Sequence, residues 1–142
     1  MVTPDRDVQI DDRVSAEDEA TVVRGLLAFN ENWIGAANEK PVKLVARDSD
    51  GIIGGLIGHT RWSWLYVAKL WVHERARGRG VGTRLLTAAE DIARSRGCEG
   101  ASLDTFEYQA RPFYEKLGYE LFGTLDGYPP GYRQFYLRKN LR

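Results

Sequence analysis

The chain has 142 residues, which is long enough for one domain with a hydrophobic core and too short to divide comfortably into two. Hydrophobic residues make up 43% of it and charged residues 28%, as is typical of folded globular proteins. Twenty basic and twenty acidic residues give a formal net charge of zero, so the overall basicity of a nucleic-acid-binding protein is absent. We therefore predict a single domain over residues 1–142 that does not bind nucleic acid.

Several other classes of protein are disfavoured by what the sequence lacks. No apolar run approaches the roughly 20 residues that a membrane span requires, and the first residues are acidic where a signal peptide is basic and then apolar. We expect a cytoplasmic protein without a membrane partner. Cys98 is the sole cysteine, which excludes an internal disulfide, and we expect a structural role for it. His59 and His73 without a cysteine cluster predict no metal site.

The N-terminal part of the chain predicts a short strand followed by a helix. Val8 and Ile10 alternate with polar neighbours, which indicates the strand. Ser15 is followed three residues later by Asp18, a spacing that favours a capping box at the start of a helix. A second short helix before Pro41 is an open alternative. The apolar positions of the main helix recur at helical spacing: Val22, Val23, Leu26, Leu27 and Phe29.

The central part of the chain predicts a hairpin and a buried strand. Residues 42–47 and 52–60 flank the turn signal of residues 48–51. Glycines 54, 55 and 58 indicate a bend or a close backbone approach within the second strand of the hairpin. After a predicted turn at residues 62–64, the strongly apolar run of residues 65–72 is the best candidate for a central strand.

The C-terminal part of the chain predicts two helices among three strands. A loop of arginines and glycines leads into a helix that begins near Val81 and ends near Gly97, and a strand follows at residues 100–105. A short helix at residues 109–117 carries Pro112 in its first turn. Two strands follow, residues 119–125 and 134–138, joined by a loop. The total is an α/β or α+β fold with a mixed sheet of six or seven strands and three or four helices.

The loop before the Val81 helix has the features of an anion-binding site. Gly78, Gly80 and Gly82 remove the side chains that would hold an anion away from the backbone, and the helix start supplies a positive dipole end. Only Glu74 opposes the positive charge of the surrounding arginines. A guanidinium suits bidentate binding of phosphate, so a pyrophosphate ligand fits this loop. The arginines are Arg75, Arg77, Arg79 and Arg84.

The spacing of these residues discriminates among known phosphate-binding loops. The dinucleotide pattern G-x-G-x-x-G fails, since Thr83 occupies its last position, and the P-loop sequence Gly-Lys-Ser/Thr is absent. The pattern R-x-x-G-x-G, formed by Arg77, Gly80 and Gly82, resembles the coenzyme A loop of the GNAT superfamily of N-acetyltransferases. The segment LWVHERARGRGVGTRLLTAAEDIARSRG is similar to the fourth strand, loop and third helix of that family. The segment QARPFYEKLGYELFGTL is similar to a later helix and strand.

The resemblance covers residues 42–140 well and implies both a fold and a cosubstrate. It implies a mostly antiparallel sheet whose fourth and fifth strands splay apart, and acetyl-CoA bound without a metal. In such proteins the pantetheine arm pairs with the fourth strand, here at Leu70, Trp71 and Val72. The remaining residues that the resemblance assigns to acetyl-CoA are Arg77, Gly78, Arg79, Gly80, Val81, Gly82 and Thr83.

The resemblance also implies a reaction, the transfer of acetyl to a primary amine of a small molecule or peptide by direct attack in a ternary complex. Tyr114 matches the family's general acid, which protonates the departing thiolate. Glu74 is the predicted base, with other candidates at Asp104, Glu107 and His59. Lys69 stands where some relatives carry an acid. The identity of the acceptor stays open; the aromatic residues that could wall its pocket are Trp33, Trp62, Trp64, Tyr128 and Tyr132.

Two other functions compete with an acetyltransferase. A non-catalytic module that binds acyl-CoA as a sensor would use the same loop, and Tyr114 argues against it. A dinucleotide-binding domain is disfavoured by Thr83 and by the hairpin before the loop. We also expect a homodimer, because four tryptophans in a short chain leave room for an apolar interface.

Overall fold

The computed structural model describes residue 3 and residues 5–142, which form an N-terminal unit ending at Ala37 and a second unit, Asn38–Arg142. The N-terminal unit contains helix α1 (Ala16–Ile34). The predicted capping box is confirmed, since the Ser15 hydroxyl accepts from the Asp18 amide and the Asp18 carboxylate accepts from the Ser15 amide, both at 3.0 Å.

The predicted first strand of the N-terminal unit is wrong. Residues 8–10 form no strand, because the backbone around them pairs with no other strand. Two alternating apolar residues supply too little burial to hold a strand by themselves. The open alternative of a second short helix before Pro41 is decided against, since α1 ends at Ile34, its C-cap Gly35 has a φ of +81°, and residues 35–39 form no helix.

The second unit is built on a six-stranded sheet. Strand order is β1-β2-β3-β4-β6-β5, and every neighbouring pair is antiparallel except β3 and β4, which are parallel. Together with α1 there are three α-helices among the described residues, so the predicted mixed, mostly antiparallel α/β fold is confirmed. The strands are β1 (Lys40–Asp48), β2 (Gly51–Arg61), β3 (Trp64–Val72), β4 (Gly100–Phe106), β5 (Glu120–Asp126) and β6 (Arg133–Asn140); the other helices are α2 (Val81–Ser95) and α3 (Arg111–Lys116).

The parallel pair β3 and β4 separates part-way along its length. Pairing joins Trp64 through Val67 to Gly100 through Leu103 and goes no further. The predicted splay between the fourth and fifth strands is therefore confirmed at β3 and β4, whose numbers are lower by one because the first predicted strand is absent. The gap that opens beyond Val67 positions the candidate site.

Helix α2 packs on one face of the sheet, which we call the α2 face. Its centre includes Leu65, Leu86 and Leu137, all fully buried. Gly54 on β2 permits this packing, because a Cβ there would lie 3.2 Å from Val81 Cγ1 and 3.3 Å from Leu85 Cδ1. The start of α2 thereby comes close to the strands that it covers.

The opposite face of the sheet, which we call the far face, carries polar side chains. Strand register places Tyr66 opposite His59 on one side and Ser102 on the other, and places Asp104 opposite Tyr136. Since side chains directly opposite each other share a face, and residues two apart on a strand do as well, these polar side chains of β2, β3, β4 and β6 all lie on the far face.

Two smaller expectations agree with the structure. A Cβ on Gly58 would collide with the Tyr66 carbonyl oxygen, where the register of β2 and β3 shifts, so this glycine marks a close backbone approach. Cys98 is buried, and burial raises the pKa of its thiol, which suits a structural role.

No helix in the described part of the chain is both long and apolar enough to cross a membrane.

Candidate active site

A cavity of about 700 Å³ opens where β3 and β4 separate. It is bounded by the end of β3, the glycine loop, the start of α2 and the start of α3. All of the residues predicted to bind the cofactor line it except Arg79. The lining residues are Leu70, Trp71, Val72, Ala76, Arg77, Gly78, Gly80, Val81, Gly82, Thr83, Tyr108, Gln109, Ala110, Phe113 and Tyr114.

Three glycines shape the loop that borders this cavity. Gly78 and Gly80 have φ angles of +77° and +74°, in the left-handed region that glycine adopts without strain. A Cβ on either would meet no atom within 4 Å, so the space beside the backbone is open. Gly82 has another role, because its Cβ would lie 3.2 Å from Phe113 Cζ. This glycine brings α2 close to α3.

The first turn of α2 offers backbone donors to a ligand. Gly80 is the N-cap residue and supplies no side-chain cap, and the first backbone bond runs from the Arg84 amide to the Gly80 carbonyl at 3.0 Å. The amides of Val81, Gly82 and Thr83 consequently have no acceptor within the helix. Together with the positive end of the helix dipole they form an anion-binding arrangement.

The arginines around the loop differ in their partners. Arg75 Nη1 lies 2.7 Å from Asp48 Oδ2, and Arg79 Nη1 lies 3.7 Å from the same oxygen. The bonded Arg75 holds the pKa of Asp48 below its usual range. Within the described residues, Arg77 and Arg84 pair with no carboxylate. Arg77 lines the cavity, so its charge is available to an anion there, whereas Arg79 is held at the end of β1.

The end of β3 presents an open strand edge to the cavity. Strand β2 covers one edge of β3 as far as Val72, but β4 leaves the other edge after Val67. An extended ligand that carries amide groups can hydrogen-bond to such an edge as an added strand does. The predicted residues Leu70, Trp71 and Val72 all lie on this stretch.

Tyr114 is a protonated donor on the wall of the cavity. It lies in α3, whose first turn accommodates Pro112, and the residue is only 8% exposed. Its hydroxyl hydrogen-bonds to no described residue. Burial, and then the negative charge of Asp104, raise the pKa of Tyr114. The phenol therefore keeps its proton at neutral pH and is able to give it to a strong base formed beside it.

Comparison with known families identifies this arrangement. The family model described as the acetyltransferase (GNAT) family matches residues 8–119, most of the chain. The chain belongs to the GNAT acetyltransferase family.

Relatives of this acetyltransferase are similar over most of its length. It is 37% identical to acetyltransferase Atu2258 of Agrobacterium fabrum over 131 residues, 92% of this chain and 96% of the relative. It is 45% identical to blasticidin-S acetyltransferase of Streptomyces morookaense over 91 residues, 63% of this chain and 67% of the relative. The crystal structure of an acetyltransferase from Bacillus cereus superimposes with a TM-score of 0.85 at 29% identity, covering 93% of this chain and 97% of the other.

The acetyltransferase places its candidate bases in different surroundings. Glu74 is exposed at the start of a 3-10 turn and is not among the described residues that line the cavity. Glu107 lies 2.6 Å from Arg133, which holds the pKa of Glu107 below its usual range and makes it a weaker proton acceptor. His59 Nε2 lies 3.9 Å from Glu39. The assignment of the base to Glu74 stays a prediction.

Several residues of the cavity wall were missed by the sequence interpretation. Tyr108, Gln109 and Phe113 line the cavity, although Tyr108 lies outside the segments that carry the resemblance and the other two were given no role within theirs. Gln109 Oε1 accepts from the Phe106 amide at 2.7 Å and from the Thr105 hydroxyl at 3.0 Å, which closes the turn between β4 and α3. The pattern of a polar residue three after a strand end is a weak signal for such a turn.

Among the described residues, no three potential metal ligands come together.

Proposed function

We propose that this protein transfers an acetyl group from acetyl-CoA to a primary amine of a small molecule or peptide by direct attack in a ternary complex. The observation that supports this most strongly is that one cavity is bounded by the anion-binding loop, the open edge of β3 and the protonated Tyr114. These features correspond to the three parts of an acyl-CoA: the pyrophosphate, the pantetheine amides and the thioester sulfur.

The donor binds through backbone and charge. The pyrophosphate accepts hydrogen bonds from the amides of Val81, Gly82 and Thr83 and pairs with Arg77. The pantetheine amides pair with the open edge of β3, which places the thioester at the point where β3 and β4 separate. Tyr114 then lies near the thioester sulfur.

The acetyl group is transferred through one tetrahedral intermediate. The neutral amine nitrogen attacks the thioester carbonyl carbon, and an N–H of Trp71 or Val72 stabilises the oxyanion. Collapse breaks the C–S bond, and the departing thiolate takes the proton of Tyr114. The nitrogen loses its extra proton through water to Glu74, the predicted base, which releases it to solvent, and solvent returns a proton to the tyrosine. Amide and free CoA leave.

The substitution Tyr114→Phe tests this assignment. We expect turnover to fall by about 100-fold, the usual contribution of a general acid, while the affinity for acetyl-CoA changes by less than about twofold. Turnover is measured as thiol released from acetyl-CoA with a panel of amines that includes polyamines, aminoglycosides and peptides. Affinity is measured by isothermal titration with CoA.

Tyr119→Phe is the matched control for this test. Tyr119 is as deeply buried and its ring lies 6.0 Å from that of Tyr114, but its hydroxyl donates to Glu90 and it is absent from the described cavity wall. It should lose stability and keep turnover. Unchanged turnover in Tyr114→Phe would remove this residue from the mechanism. CoA binding without thiol release from any amine would instead indicate a sensor.

The name of one relative supports a small-molecule acceptor, since blasticidin-S acetyltransferase is 45% identical over the segment that it shares with this chain. We also propose that residues 1–142 act as one acetyltransferase domain. The family match, which spans residues 8–119, supports this. A cytoplasmic location and a homodimer stay predictions. A sedimentation mass equal to that of the monomer would refute the dimer.

A further inference from the structure

The far face of the sheet carries a hydrogen-bonded polar cluster centred on Asp104. Asp104 Oδ1 accepts from the Tyr66 hydroxyl at 2.7 Å, and Asp104 Oδ2 accepts from Gln134 Nε2 at 2.9 Å. Gln134 Oε1 accepts in turn from the Tyr136 hydroxyl at 2.8 Å. We call these four residues the Asp104 cluster. Its hydrogen bonds fix the orientation of the carboxylate.

The Asp104 cluster lies at the point where the sheet opens. Leu103 is the last residue of β4 that pairs with β3, so Asp104 is the first residue beyond the pairing. Because Asp104 directly follows the last paired residue, it lies where the edge of β3 becomes free, at the same opening of the sheet as the proposed reacting centre. Burial, and then the negative charge of Asp104, raise the pKa of Tyr114, which lines the cavity.

The charge of Asp104 has no cationic partner within the described residues. Both of its hydrogen-bond donors, Tyr66 and Gln134, are neutral groups. The carboxylate is half-buried, where a charge is costly unless it is paired. A positively charged ligand group supplies the missing partner.

An open group of aromatic rings stands next to this charge. Phe106, two residues after Asp104 and therefore on the same face, lies 5.8 Å from Tyr108 and 5.4 Å from Tyr128 between ring centroids. Tyr108 lies 4.9 Å from Tyr132. We call these four rings the aromatic cluster. Its three tyrosines are each about half exposed, and Tyr108 also lines the cavity.

We propose that Asp104 and the aromatic cluster form the acceptor subsite and that they select acceptors with a second cationic group besides the reacting amine. This inference rests on the proposed acetyltransferase function and names its substrate class. The aromatic rings pack against the apolar body of the acceptor, and Asp104 binds its second positive charge.

The need for a second cation follows from the chemistry of the amine. The nitrogen that attacks the thioester must be neutral, and a carboxylate bonded to that nitrogen would favour its protonated form. Asp104 therefore suits a group that remains charged throughout the reaction. An ammonium or guanidinium on the far side of the acceptor meets this requirement, with the reacting amine directed toward Tyr114.

Two probes isolate the second charge. Benzylamine and p-xylylenediamine share a planar ring and a reacting amine, and only the diamine has a second ammonium group. Binding of each to the complex of the protein with CoA is measured by isothermal titration. We expect the diamine to bind about tenfold more tightly, the worth of one charge-assisted hydrogen bond.

Three variants separate the contributions. Asp104→Asn should remove the preference for the diamine and leave benzylamine affinity within about twofold, while Asp91→Asn, an exposed carboxylate on α2, should retain the preference. Tyr132→Leu should weaken both probes by about threefold and leave their ratio unchanged, because it removes packing and no charge. CoA affinity reports whether each variant is folded.

Equal affinity of the wild-type complex for both probes would overturn the inference, as would a preference that survives in Asp104→Asn. If Asp104→Asn does not bind CoA, the inference is tested by the ratio of diamine to benzylamine affinity in the wild-type protein and in Tyr132→Leu. Loss of the diamine preference in either protein would overturn the inference. Failure of the proposed function is distinguishable, since the wild-type protein would then not bind CoA or would release no thiol with any amine.

Discussion

Glu90 and Asp104 lie on opposite faces of one sheet, and each accepts a hydrogen bond from a tyrosine hydroxyl at 2.7 Å. They differ in whether a cation of the protein neutralises the carboxylate. On the α2 face, Glu90 is only 4% exposed and also binds Lys139 Nζ at 2.9 and 3.1 Å. On the far face, Asp104 is bonded to neutral groups and meets no cation within the described residues. The carboxylate that is neutralised inside the protein joins α2 to β6, whereas the one without a cation is the group that we propose pairs with a ligand.

The largest effect that separates these two carboxylates is one of stability. Lys139→Met leaves the buried Glu90 charge without its cation, and we expect the free energy of unfolding to fall by about 3 kcal/mol. Asp104→Asn replaces one carboxylate oxygen that accepts a hydrogen bond by an amide, leaves no buried charge without its cation, and should cost about 1 kcal/mol. Both are measured by urea unfolding. Lys116→Met, at an exposed lysine of α3, is the matched control. A loss below about 1 kcal/mol for Lys139→Met would contradict the structural role of the Glu90 pair.

A second prediction contrasts the far face, where we propose binding by side chains, with the glycine loop, where we propose binding by backbone amides. Gly80→Ala places a methyl group in the open space where the phosphate is proposed to bind, and we expect acetyl-CoA affinity to fall about tenfold. Diamine binding at the Asp104 cluster should be affected only through the loss of bound CoA. Titration with CoA measures the effect.

Gly97→Ala is the control for the loop variant. Gly97 has a φ of +78°, close to the +74° of Gly80, and a Cβ there also meets no atom within 4 Å. Both substitutions should strain the backbone by about 1–2 kcal/mol, but only the one at Gly80 should change CoA affinity. Equal CoA affinities in the two variants would argue against phosphate binding at the loop.

The same contrast explains what the sequence could predict. The residues of the glycine loop are close together in the sequence, so the roles of Arg77, Gly80 and Gly82 could be predicted from their spacing and from the segments around them. The hairpin and α2 were also predicted from short segments of sequence. The Asp104 cluster joins residues 38 and 30 positions apart, and the Glu90 pair with Lys139 spans 49. Such contacts depend on strand order and register, which no local pattern encodes.

The wrongly predicted first strand also shows that structure depends on neighbours that no local pattern identifies. Val8 and Ile10 have the alternation of a strand, but a strand exists only through a neighbour, and these residues pair with none. Position in the sheet likewise decided which acidic residues lie near the cavity. The sequence offered four candidate bases, of which Glu74 was the one predicted, and only the fold distinguishes the exposed Glu74 from the centrally placed Asp104.

The smallest expected effect concerns a third carboxylate, which is exposed and paired. Glu107 Oε2 accepts from Arg133 Nε at 2.9 Å and Nη2 at 2.6 Å, and this bonded guanidinium lowers the pKa of Glu107. A carboxyl whose pKa is lower in the folded state adds stability above its ordinary pKa of about 4.3, and that stability is lost as the pH falls through the folded value. Glu107→Gln should therefore lower the urea midpoint slightly at pH 7 and have no effect in stronger acid. Glu31→Gln removes an exposed charge of α1 that has no ion pair within the described residues, and it should not change this acid dependence. If Glu107→Gln loses stability toward acid as steeply as the wild-type protein, the pair with Arg133 does not stabilise the fold in solution.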